Sequence, residues 1–204
     1  MSIRHPLRIA AAASLLALTA GAALAQNPDL TKNPENTGRA ATATEATQKN
    51  DNLKEWQVAK SAKTSLATAI ATAEAKGEEK GGRAIDADFE KADSKNPAHY
   101  AIKVVYPSGK LVEYGINADT GELYKTENQP IERYFTRLKP ADFQNAKVSL
   151  KDAIALAEQK APGGKAYEAE VEREGKAVEY EIKVALTDRE QEIKVGPDGT
   201  VKND

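Results

Sequence analysis

Hydrophobic residues recur along this chain with two periods, and the change from one to the other happens twice. Leu66, Ala69, Ile70 and Ala73 fall at i, i+3, i+4 and i+7, as do Leu150, Ala153, Ile154 and Ala157. Each set makes one apolar stripe on a helix. A serine precedes each stripe at the N-cap position, Ser65 and Ser149, and Asp152 follows the second serine by three residues as a variant capping box. Gly81-Gly82 and Gly163-Gly164 then break the helical pattern, and the period drops to two. Ile85, Ala87 and Phe89 alternate with Asp86, Asp88 and Glu90, and Tyr167, Ala169 and Val171 alternate with Glu168, Glu170 and Glu172. That alternation predicts half-buried strands with carboxylates on the outer face.

Aligning Ala62 with Ala146 gives 10 identities in 15 positions, so the helix-then-strand unit is an internal repeat. In each copy two more alternating segments follow: "HYAIKVVY" and "LVEYGI" in the first, "VEYEIKVAL" and "EQEIKV" in the second. The turns "NADTGELY" and "GPDGTVK" allow a short fourth strand. The pattern predicts an α+β protein of two tandem modules, each one helix packed on a three- to four-stranded antiparallel sheet.

The predicted boundaries are a signal peptide over 1–25, a disordered tether over 26–52, a first module over 53–127, a helical linker over 128–145 and a second module over 146–204. Arg4, His5 and Arg8 precede an apolar run and the small-x-small site Ala23-Leu24-Ala25, which predicts cleavage after Ala25. Losing Arg4 and Arg8 leaves 27 basic against 31 acidic residues, a net charge of -4. Residues 26–52 have no apolar period, and Leu30 is their one sizeable aliphatic, too little to offset the entropy of ordering. Trp56 belongs to a helical lead-in expected to pack on the first module, with partner binding as the other reading. In the linker, Ile131, Tyr134, Phe135 and Leu138 fall at helical spacing between Pro130 and Pro140.

The motif Ser-Leu-x-x-Ala-Ile-x-x-Ala, followed by Gly-Gly-Lys, an acidic alternating strand, Tyr-Glu-Ile-Lys-Val and Asp-Gly-x-Val, resembles the PepSY domain. This domain is found in precursor segments of thermolysin-like metallopeptidases and in many cell-envelope proteins. The second copy, Val148 to Lys202, is the closer to the motif; the first, Thr64 to Tyr124, carries extra residues before Gly81 and before Tyr100. The resemblance implies a regulatory role, binding and restraining a peptidase or contacting another envelope partner.

Composition narrows the chemistry. With 29 basic and 31 acidic residues the chain lacks the basic footprint of a nucleic-acid binder. There is no cysteine, and after signal removal His99 is the one histidine, so no imidazole or thiolate metal set can form. His99 is expected to be exposed or capping. No phosphate-binding glycine loop and no nucleophile elbow is present. The chain is therefore expected to be no enzyme, with no catalytic, cofactor or metal residues, and to be periplasmic or secreted with a protein partner. The alternative is an envelope protein that binds a small ligand or cation on its sheet face. The acidic strand positions are expected to pair with Lys103, Lys183 and Lys194 and to guard the strand edges. In the second module the outer face is charged throughout, whereas the first places Ala101, Val105, Leu111 and Gly115 there. Ala101, Val105 and Leu111 are the candidate interaction surface, covered either by the linker helix or second module or by a partner.

Overall fold

A computed structural model of the protein describes residues 52–130, Leu138, Asp142, 146–175 and 177–202. The expected signal peptide with its cleavage after Ala25, the tether apart from Asn52, and the expected linker over 128–145 apart from residues 128–130, Leu138 and Asp142 lie outside the described residues, and Asn128 ends a strand instead of starting the linker.

The repeat dictates two similar pieces of local structure. Helix α2 (Leu66–Lys76) starts at Ser65, whose hydroxyl accepts the Thr68 N–H at 3.1 Å, and α3 (Leu150–Lys160) starts at Ser149. The capping box is closed in both directions, Asp152 N–H to Ser149 Oγ at 3.2 Å and Ser149 N–H to Asp152 Oδ2 at 3.0 Å. Both apolar stripes are buried to 5% exposure or less. They lie on strands β1 (Arg83–Glu90), β2 (His99–Val105), β3 (Leu111–Asn117) and β4 (Leu123–Asn128), and on β5 (Lys165–Glu174), β6 (Ala177–Ala185), β7 (Glu190–Val195) and β8 (Val201–Lys202). A short helix α1 (Glu55–Ala59) comes first in the described chain.

The strands form one antiparallel sheet in the order β4-β3-β2-β1-β5-β6-β7-β8. The expected pair of separate three- to four-stranded sheets is thus corrected to a single eight-stranded one, because β1 and β5 pair edge to edge. Their register is Asp86↔Glu170, Ala87↔Ala169 and Asp88↔Glu168. The acidic side chains expected to guard these edges project from the sheet face, so they leave the backbone edge free to pair. On the opposite face Ala87 and Ala169 are fully buried, small enough for α2 and α3 to lie over the joint.

The same contacts recur on both sides of that joint. Tyr100 Oη donates to the Thr64 carbonyl at 2.9 Å, and Tyr180 Oη to the Val148 carbonyl at 2.5 Å. The Ala84 N–H reaches Glu74 at 3.0 Å, and the Ala166 N–H reaches Glu158 at 2.9 Å, tying each helix to the first strand after it. Each glycine pair also has one job per residue. Gly81 and Gly163 take φ of 80° and 77°, where side chains are strained. Gly82 lies so close to β2 that a Cβ there would come 2.6 Å from the Tyr106 ring, and one at Gly164 would collide with Val184.

Candidate functional site at the strand joint

The side chains at the β1–β5 joint come from alternate positions of two paired strands, so Asp86, Asp88, Glu168 and Glu170 stand together on one face. Lysines from the flanking strands meet two of them. Lys103 Nζ lies 2.9 Å from Asp86 Oδ2, and Lys183 Nζ lies 2.6 Å from Glu168 Oε1, at equivalent positions in the two halves. Farther out, Lys194 Nζ sits 3.3 Å from Glu181. The expected cross-strand ion pairs are therefore formed.

Asp88 and Glu170 have different surroundings. The residue opposite Asp88 on β2 is Ala101, and opposite Glu170 on β6 is Glu181. Burial, then the charges of Asp86 and Glu168, push the Asp88 carboxyl far above the usual carboxylate range, and a hydrogen bond with the Asp86 carboxylate adds to this. Burial and the neighbouring carboxylates, Asp86 first, push Glu170 up to about 7. At both positions the surroundings favour the protonated carboxyl over the charged one.

Beside it is a cavity of about 480 Å³ lined by Trp56, Tyr167, Glu168, Lys183, Glu190 and Glu192, together with Lys54 and Glu55. Helix α1, which carries the buried Trp56, packs on β1, β5 and β6, so the lead-in spans the joint rather than resting on the first module alone. Strict alternation places Tyr167 on the apolar face with Ala169 and Val171. A register shift between Ala166 and Glu168 instead turns it to the carboxylate face, where its hydroxyl donates to Glu190. A one-residue bulge leaves no mark in the hydrophobic pattern of a single strand, and the signal that could expose it is the identical shift between Ala84 and Asp86 in the other half.

Ala101, Val105 and Leu111 do share one face of β2 and β3, where Ala101 opposes Gly115 and Val105 opposes Leu111. All are buried within the chain, at 7%, 0% and 2% exposure. At the Gly115 end the cover is Tyr124, whose ring is 2.7 Å from where a Gly115 Cβ would stand. The Tyr124 ring also meets His99 edge-on, with centroids 5.2 Å apart. His99 is consequently buried, contrary to expectation; its Nδ1 is 2.8 Å from the Pro97 carbonyl and its Nε2 is 3.3 Å from Glu90. Among the described residues, no three histidine, aspartate or glutamate side chains converge in a way that could hold a metal ion. Among them too, no helix is long and apolar enough to cross a membrane.

Comparison with known proteins adds a family. A crystal structure at 1.85 Å of a "putative lipoprotein" from Clostridium difficile 630 is similar at 22% identity, covering 60% of this chain and 80% of that one, with a TM-score of 0.36. No curated protein matches the chain. Residues 63–127 match the PepSY family model, described as the peptidase propeptide and YPEB domain. The match falls on the half whose spacing departs more from the motif, and it begins just before the Ser65 cap and ends inside β4. The chain carries a PepSY domain at residues 63–127.

Proposed function

We propose that the protein is a non-catalytic binding protein of the cell envelope, which restrains a peptidase or regulates another envelope partner through protein contact. The observation that carries this reading is the PepSY match over residues 63–127, a family whose description names peptidase propeptides. Residues 146–202 are read as a second module of the same kind. The serine caps, the tyrosine-to-carbonyl bonds at Thr64 and Val148, and the lysine pairs at Asp86 and Glu168 support that reading by recurring at equivalent places. The signal-like start of the sequence supports the periplasm or the exterior as its location.

The test uses the chain from Gln26 onward, added in increasing amounts to the metallopeptidase activity released from the envelope of its own host. The proposal expects activity to fall to a plateau at a fixed molar ratio, with a complex visible by size-exclusion chromatography. Undiminished activity with no complex, for both the peptidases and the remaining envelope proteins, would overturn it.

A further inference from the structure

We propose that the β1–β5 joint is a proton-operated latch: carboxyl groups of Asp88 and Glu170 that carry protons keep the two half-sheets paired, and their ionisation loosens the pairing. The joint is built as a weak place. It has three register pairs, where β1 with β2 has seven and β5 with β6 has nine. Two of the three put an acid directly opposite an acid, Asp86↔Glu170 and Asp88↔Glu168, an arrangement that is destabilising when all are charged.

The charge around the pair favours the protonated state. Asp88 faces Asp86 on its own strand, Glu168 across the joint and Lys103 on β2, and Lys103 also holds Asp86. Glu170 faces Glu172 and Glu168 on its own strand, Asp86 across the joint and Glu181 on β6. Lys183, the cation of β6, is engaged with Glu168. Helix α1 brings one charge of each sign, Lys54 and Glu55, to the cavity beside Glu168. Asp86 and Asp88 also stand two residues apart on β1, where a proton on Asp88 lets it donate to the Asp86 carboxylate. Ionising Asp88 and Glu170 sets charged carboxylates directly opposite one another at both acid pairs of the joint.

The sign follows from these surroundings. Both groups titrate higher when the joint is closed than when it is open, so closure is favoured below the ordinary carboxylate range. That advantage is lost as pH rises through neutrality. An envelope protein outside the cytoplasm meets such changes directly, and the latch would convert them into exposure of the β1 and β5 edges.

The experiment is hydrogen exchange by mass spectrometry on the full chain at pH 5.5 and pH 8.5, corrected for intrinsic rates, read in peptides covering β1, β5 and, as a control, β7. The wild type is expected to lose protection at least about tenfold in β1 and β5 at the higher pH while β7 is unchanged. The double variant Asp88→Asn, Glu170→Gln is expected to hold its protection at both. Equal protection of the wild-type joint at both pH values, or the same loss in the double variant, overturns the latch. Should the double variant fail to fold, carbon-detected NMR titration of wild-type side-chain carboxyls decides. Titration of Asp88 and Glu170 near neutrality supports the proposal, and ordinary carboxylate behaviour overturns it.

Discussion

Replacing Val105 with glutamate separates a covered face from an open one. Val105 is completely buried, opposite Leu111 on one side and Arg83 on the other. Removing its side chain from apolar surroundings forfeits about 1.5–3 kcal/mol. The new carboxyl must either remain charged in an apolar setting or take up a proton. Protonating a group of ordinary pKa near 4.3 at pH 7 costs about 1.36 kcal/mol per pH unit, or roughly 3.7 kcal/mol. The sum is about 5–7 kcal/mol, a large part of the ~5–15 kcal/mol that holds a domain folded. Arg83 is exposed at the strand start and can offset part of the charge term but not the lost packing. Urea denaturation at pH 7 and pH 4.5 measures both terms. The variant carboxyl has a raised folded pKa, so its destabilisation should shrink toward about 2 kcal/mol at pH 4.5 and grow as pH rises. A loss below about 1 kcal/mol at pH 7 would show that Val105 is open to solvent and that the burial argument fails.

Three further outcomes follow from the recurring contacts. Tyr100→Phe and Tyr180→Phe each remove one hydrogen bond to a carbonyl and should each cost about 1 kcal/mol in chemical denaturation, whereas a cost in one half alone would break the equivalence. Gly82→Ala and Gly164→Ala should both lower the melting temperature because the added methyl meets Val104 and Tyr106 or Val184, and a neutral result at both would mean the strands do not pass so closely. Hydrogen bonds from Ser149 hold the Asp152 carboxyl below the usual range, so its stabilisation is present above the unfolded pKa and is lost as pH falls below it. Ser149→Ala keeps the N–H to Asp152 and loses only the hydroxyl, so it should weaken that acid-side dependence and cost about 1 kcal/mol, and a stability unchanged by the substitution would count against the cap.

Local structure was legible in the sequence wherever one strand or helix decides it. The stripes Leu66 to Ala73 and Leu150 to Ala157, the serine caps and the alternating strands all report their own burial. What the pattern could not carry is anything set by two strands together. Asp86 and Glu170 read as residues of a guarded edge, because alternation specifies a face and is silent about which neighbour lies alongside. Bulges defeated the alternation itself: Tyr167 turned to the charged face, and a register shift beside Gly115 laid Tyr124 over Gly115 and His99. His99 is buried beneath that ring, whereas its position before a strand suggested an exposed or capping histidine. Ala101, Val105 and Leu111 were legible as one face that something covers, and part of the cover is Tyr124 of the same half.

The strands of the two half-sheets meet in a single pairing, and backbone NMR reads it without altering a residue. Nuclear Overhauser contacts between backbone protons of Ala87 and Ala169, together with those joining Ala87 to Ile102 and Ala169 to Ile182, are the result one continuous sheet predicts at pH 5.5. Contacts from Ala87 to Ile102 and from Ala169 to Ile182, with none between Ala87 and Ala169, would mean two separate sheets and would contradict it.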